Sequence, residues 1–134
     1  MIEIINPGML TTVQDYGRVG VMKNGFTQNG AMDRYSMTVA NRLCGNCDNA
    51  PVLEITVMGI TAKFNKDCIF CLSGADFSSK LNDNPIRTNK AYKASNGDVL
   101  TMGNAKNPGA SASIACSMAS CTAISSSLTA MRMA

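Results

Sequence analysis

The chain has 134 residues, 46% of them hydrophobic, 16% charged and 5% aromatic, with neither Trp nor His. That length fits one domain, and the lack of His excludes Ser-His-Asp and Cys-His catalysis, HExxH zinc sites and imidazole acid–base chemistry near neutral pH. Up to residue 105 there are ten basic and nine acidic side chains; Lys106 and Arg132 follow with no acid, for a formal net charge of +3 without any basic run, which gives no support to a nucleic-acid footprint or a polybasic membrane anchor.

The opening MIEIINPGML carries Glu3 inside a short apolar run and has no basic leader, so it reads as a strand and not as a signal peptide. No apolar run approaches the roughly 20 residues that span a bilayer. Six cysteines in such a chain are expected to stay reduced, and the chain reads as cytoplasmic.

Ile2–Ile5 is a first strand, ended by the turn tripeptide Asn6-Pro7-Gly8, and Leu10–Gln14 resumes an extended pattern rich in Thr and Val. Residues 15–30 form a long loop with glycines at 17, 20, 25 and 30; loops of that length in compact domains are often functional. A helix is predicted over 31–44, with Met32, Tyr35, Val39, Ala40 and Leu43 on one face of a 3.6-residue repeat. Asn29 or Gly30 would cap its start, Gly45 would supply the left-handed residue at its end, and Asp33 and Arg42 suit the helix dipole.

Strand patterns return at 52–57, 61–64 and 68–72, then near 77–81, 86–87, 91–93 and 99–102, each bounded by Gly, Asn, Asp, Ser or Pro. Short strands at such spacing indicate a barrel or sandwich. From Lys106 the composition shifts to seven Ala and seven Ser in 29 residues, with no acid and no aromatic. No period of two or 3.6 runs through that stretch, so residues 1–105 are read as the domain and 106–134 as a low-complexity tail. Such a tail buries too little apolar area to offset its ordering entropy, so removing residues 107–134 is expected to leave the melting temperature nearly unchanged.

Three groups of residues carry chemistry. Cys44-Gly-Asn-Cys47 and Cys68-Ile-Phe-Cys71 have the spacing of a four-thiolate zinc site. However, Cys68 and Cys71 fall on a predicted strand, where positions i and i+3 point to opposite faces, so the thiols read as core residues and no metal is assigned. Ten scattered Met residues read as core filler. The second group is Thr11-Thr-Val-Gln-Asp-Tyr-Gly-Arg18 with Gly30-Ala-Met-Asp-Arg34. Here two carboxylates, a guanidinium and an amide share a glycine-rich loop leading into a helix start, an arrangement able to bind an anion and move a proton. Turn glycines, an Asp15–Arg18 surface pair and a dipole role for Asp33 are the bland alternative. Glu54, third in the Val52–Val57 strand pattern, is expected to point outward, with an inward, functional carboxylate as the alternative.

Asn6-Pro-Gly-Met-Leu-Thr-Thr-Val-Gln-Asp-Tyr-Gly-Arg-Val-Gly20, Asn29-Gly-Ala-Met-Asp-Arg-Tyr35, Ala40-Asn-Arg-Leu-Cys-Gly-Asn46, Leu53-Glu-Ile-Thr56 and Leu72-Ser-Gly-Ala-Asp76 together resemble the family of the 5-oxoprolinase C-subunit. That family is also known as KipA, allophanate hydrolase subunit 2 and the carboxyltransferase domain of urea amidolyase. The resemblance covers residues 1 to about 105 and implies a cyclophilin-like β-barrel, which with the strand patterns and the 31–44 helix gives a mainly β fold with one principal helix. It also implies a partner, the B-subunit or a KipI-like protein, and family chains continue well past this length.

With that partner the chain would open 5-oxoproline using ATP, or transfer a carboxyl group from carboxybiotin. ATP or biotin would enter through the partner, and this chain alone would be inactive and prone to self-association. Both reactions build negative charge on an oxygen of a small amide or carboxyl substrate, and so need fixed donors and a proton carrier. Asp15, Asp33 and Glu54 are the catalytic candidates; Gln14, Arg18 and Asn41 are the substrate-binding ones. The alternative is a regulatory module that sequesters a KipI-like kinase inhibitor without chemistry.

Overall fold

The computed structural model describes residues 2–18, 20–25, 27–106 and 111–117. In chain order the elements are β1 (Ile2–Asn6), β2 (Leu10–Gln14), a short 3-10 turn (Val21–Asn24), α1 (Arg34–Cys44), β3 (Val52–Thr56), β4 (Thr61–Phe64), β5 (Cys68–Gly74), β6 (Lys80–Leu81), β7 (Asn84–Pro85), β8 (Lys90–Ala94), β9 (Val99–Thr101) and β10 (Ser111–Ser117). The strands form two five-stranded sheets, β1-β4-β9-β6-β7 and β2-β3-β10-β5-β8, antiparallel in every pair. The mainly β, one-helix reading is therefore right, but the sheets face each other as an open sandwich and do not close into the barrel expected. The strand expected at 86–87 lies at Asn84–Pro85, and Phe77, expected in a strand, is a buried loop residue.

Alternation along each strand sorts side chains into two layers. Between the sheets, Ile4, Ile60, Ala62, Phe64 and Leu100 from one meet Leu53, Ile55, Phe70, Leu72, Ala112 and Ile114 from the other. The Phe64 and Phe70 rings touch across this gap, with centroids 4.9 Å apart. The opposite face of the second sheet is covered by α1, whose Met37, Ala40 and Cys44 pack on Val52, Cys71 and Ala115. Strand β3 is thus buried on both faces.

Helix α1 begins at Arg34, three residues later than expected. Its N-cap is Asp33, not Asn29 or Gly30, and the Asp33 carboxylate accepts a bond of 3.0 Å from the Ser36 amide. Gly45 ends the helix with φ 75° as expected. The buried face is rotated from the expected one: Ser36, Met37, Ala40, Asn41 and Cys44 are buried, so of the expected stripe Ala40 is buried and Val39 half-buried, while Tyr35 is 80% exposed and Met32 and Leu43 are also exposed. Three members of the expected stripe, Met32, Tyr35 and Leu43, thus lie on the solvent side. The Met residues divide similarly: Met37 and Met102 are buried, whereas Met9, Met22, Met32 and Met58 are exposed and are not core filler.

Residues 111–117, assigned to the tail by composition, are β10, and the unit extends past residue 105. This strand lies in the middle of the second sheet, pairing Ser113 with Glu54 of β3 and with Ser73 of β5. Its pattern is alternating but muted, with small Ala and Ser on the helix side and Ala112 and Ile114 toward the inter-sheet core. Residues 118–134 lie outside the described residues. Ile114 is 3% exposed, so Ile114→Ala should cost about 2–5 kcal/mol by chemical denaturation, where a disposable tail would give no change.

Candidate functional site

The site candidates gather where β2, β3 and the start of α1 meet. Residues of one parity on the second sheet face the helix, and on that face Thr12, Glu54, Ser113 and Ser73 are cross-strand neighbours. One step along the strands the corresponding positions Val52, Ala115 and Cys71 are apolar and lie under α1. The helix therefore sits on an apolar row with its first turn over a polar one.

Glu54 is the centre of that polar row. Far from pointing outward, it is 6% exposed. Its carboxylate accepts bonds from the Met32 amide at 3.0 and 3.2 Å and from the Asp33 amide at 3.3 Å. These amides precede the helix, so Glu54 and the capping Asp33 together supply the negative charge that a helix N-terminus favours. Both Asp33 oxygens engage Ser36, one its amide and the other its hydroxyl. Glu54 and Asp33 are thus tied into the scaffold.

Asp15 and Arg18 are presented differently. The Asp15 carbonyl accepts from the Ala31 amide at 2.8 Å, and the Arg18 amide donates to the Gln28 carbonyl at 2.8 Å. Gly17, with φ 72°, sits so close to residues 28–29 that a Cβ there would lie 1.6 Å from the Asn29 carbonyl oxygen, so only glycine fits. The Arg34 guanidinium donates to the Tyr16 carbonyl, and the Tyr16 hydroxyl bonds Thr38 on α1. The 15–18 segment is thereby clamped against the segment leading into the helix. Asp15 uses one oxygen to accept from the Gly17 amide; both Asp15 and Arg18 are exposed, and they form no ion pair with each other among the described residues. Gln14, partly buried, donates to the Thr12 hydroxyl.

Asn41 does not join this group. It is wholly buried, its amide nitrogen donates to the Asp48 and Ala50 carbonyls, and its oxygen accepts from Asn46. It fastens the 46–50 turn to the helix and has nothing left for a substrate. Arg42 grips Asp48 bidentately in the same turn, which holds the Asp48 carboxyl below its usual range.

The cysteines behave as the strand alternation requires. Cys68 belongs to the inter-sheet core, Cys71 and Cys44 to the layer under α1, and Cys47 is exposed, so the two members of each Cys-x-x-Cys pair face different surroundings. Burial pushes the Cys71 thiol from an ordinary 9.0 up to about 11.

Sequence reasoning missed Ser36, Tyr16 and Arg34 as builders of the site, although the Asp33–Ser36 spacing is that of a helix cap. It also missed Ser113, set between Glu54 and Ser73 and the one buried side-chain polar atom without a hydrogen-bond partner among the described residues.

Residues 24–125 match the family model described as carboxyltransferase domain, subdomain A and B. The chain belongs to that family. This carboxyltransferase-family chain is 43% identical over 102 residues to the urea amidolyase of Lachancea kluyveri, covering 75% of the chain and 6% of that protein. Over 106 residues it is 37% identical to the 5-oxoprolinase C-subunit of Haemophilus influenzae, covering 79% and 34%, and over 102 residues 42% identical to that of Escherichia coli, covering 76% and 33%. The crystal structure of the K. lactis urea amidolyase superposes with a TM-score of 0.81 at 37% identity, over 86% of this chain and 7% of that one. The chain thus spans about a third of the 5-oxoprolinase relatives and a small part of the amidolyase. No helix among the described residues is long and apolar enough to cross a membrane.

Two outcomes test the site's construction. Glu54→Ala strands the Met32 and Asp33 amides and should cost about 1–3 kcal/mol in urea denaturation, whereas Glu54→Gln keeps an acceptor and should cost clearly less; equal losses would show that these bonds do not matter. For Cys71, the folded value lies above the unfolded one. Its contribution is therefore full below pH 9 and is lost as pH rises toward about 11. Maleimide at pH 8 should modify Cys47 in the native chain and reach Cys71 only on unfolding, as peptide mapping would show.

Proposed function

We propose that the chain serves as part of a carboxyltransferase-type enzyme subunit, acting with a B-subunit or KipI-like partner on an amide-like or carboxyl group. The observation that supports this reading best is the clamped 15–18 segment, whose backbone bonds hold in place the stretch of chain that carries an exposed carboxylate and an exposed guanidinium. In ring opening of 5-oxoproline, or in carboxyl transfer from carboxybiotin, a carbonyl or carboxylate oxygen gains negative charge in the transition state. Arg18 stabilises that charge, with Gln14 as an auxiliary donor, and Asp15 moves the proton. Asp33 and Glu54 orient the segment by anchoring the helix start, and are not the proton carriers. ATP or biotin is supplied through the partner.

The exposed apolar stripe of Met32, Tyr35 and Leu43 favours a second reading, a regulatory module whose helix docks onto a KipI-like protein without chemistry. ATP-dependent 5-oxoproline turnover, and carboxyl transfer from carboxybiotin, measured with and without the partner, separate the two. Under the enzyme reading Asp15→Asn should lower kcat about 100-fold or more while leaving complex formation intact, and Arg18→Ala should lower kcat/KM. Tight complex formation with no turnover by any mixture would establish the regulatory reading instead.

A further inference from the structure

The two open sheets leave four edge strands: β1 and β7 in one, β2 and β8 in the other. An open edge is a template for pairing unless blunted by charge, proline, a bulge or brevity. Three of the four are blunted. β1 carries exposed Glu3 and a register shift between Ile4 and Asn6; β7 is two residues long and contains Pro85; β8 carries exposed Lys90 and Lys93. The fourth, β2, is Leu10-Thr-Thr-Val-Gln14, with no charge, no proline and an unbroken register against β3. Among the described residues no backbone hydrogen bond reaches it from outside the β2–β3 ladder. Its leading end is apolar: Met9 is 69% and Leu10 54% exposed, with Ile5, Val57 and Met58 also exposed.

We propose that β2 is a self-pairing edge, joining the second sheets of two copies of this chain antiparallel about a two-fold axis. The sequence is complementary to itself in that arrangement. Pairing centred on Thr12 sets Thr12 against Thr12, Thr11 against Val13 and Leu10 against Gln14, all favourable or neutral cross-strand pairs with no charge opposed to a like charge. The two-fold also brings Met9 and Leu10 of one copy beside Gln14 and Asp15 of the other. The largest exposed side chains of this edge are thus covered, and each copy then borders the other's 15–18 segment. A second copy is the chosen occupant because the strand's uncharged, palindrome-like pairing favours it; a strand from another protein is an outcome of the test.

The test uses the full chain. Sedimentation equilibrium should show a reversible monomer–dimer equilibrium, and the amides of residues 10–14 that exchange rapidly in dilute solution should slow in hydrogen exchange as concentration rises. Leu10→Lys, at a position already exposed and so tolerated by the fold, should raise the dissociation constant at least about tenfold, while Lys93→Glu on the opposite edge should leave it unchanged. A chain that stays monomeric, a dimer indifferent to Leu10→Lys, unprotected 10–14 amides in the dimer, or pairing of this edge only with another protein would each overturn the proposal.

Discussion

A carboxylate placed inside a sheet, under the start of a helix, governs this structure. Burying an ionised group is costly unless partners replace its water, and Glu54 finds those partners in the Met32 and Asp33 amides. The arrangement serves both sides: the helix N-terminus gains an anion, and the anion gains donors that no helical carbonyl could use. Since residues 15–18 are bonded to residues 28–31 immediately before that helix, the position of the exposed Asp15 and Arg18 follows from where Glu54 holds the helix start. Remote as it is from solvent, β3 sets the geometry of the surface loop.

The division of one sheet face into an apolar and a polar row explains how α1 can be short and still be well placed. Met37, Ala40 and Cys44 fit the apolar row; Ser36 and Asp33 face the polar one. Sliding the helix by a turn would set methionine over Glu54 and strand its carboxylate. Register along the helix axis is thus fixed by an energetic contrast between adjacent rows, more sharply than apolar packing alone would fix it.

Most strands were legible because their period of two and their turn residues agree, as in Leu10–Gln14 and Thr61–Phe64, found with the bounds expected. The helix was legible in existence and in its glycine stop, but of its apolar stripe only Ala40 is buried, and Tyr35 and Leu43 are exposed. Polar residues such as Ser36 and Asn41 form part of the buried side, and no hydrophobicity pattern announces that. Glu54 misled for a related reason: in a strand buried on both faces, alternation no longer separates inside from outside. β10 was hidden by its composition, since Ala and Ser facing a closely packed helix look like low complexity when read alone. Gly45 was informative because backbone geometry, unlike packing, is written locally.

The position of β10 has a consequence for how the molecule forms. It is the last described strand in the chain yet lies between β3 and β5, so the β2–β3 and β5–β8 strand pairs cannot share a sheet until it arrives. During synthesis the chain passes through a stage in which two inner strand edges wait unpaired, and the polar row over Glu54 lacks its third member. Every contact that closes the sheet then joins residues distant in sequence, a topology that folds slowly and late. Such a nascent chain carries two inner edges that any other unpaired strand could capture first, so its yield depends on how quickly the final strand reaches its place.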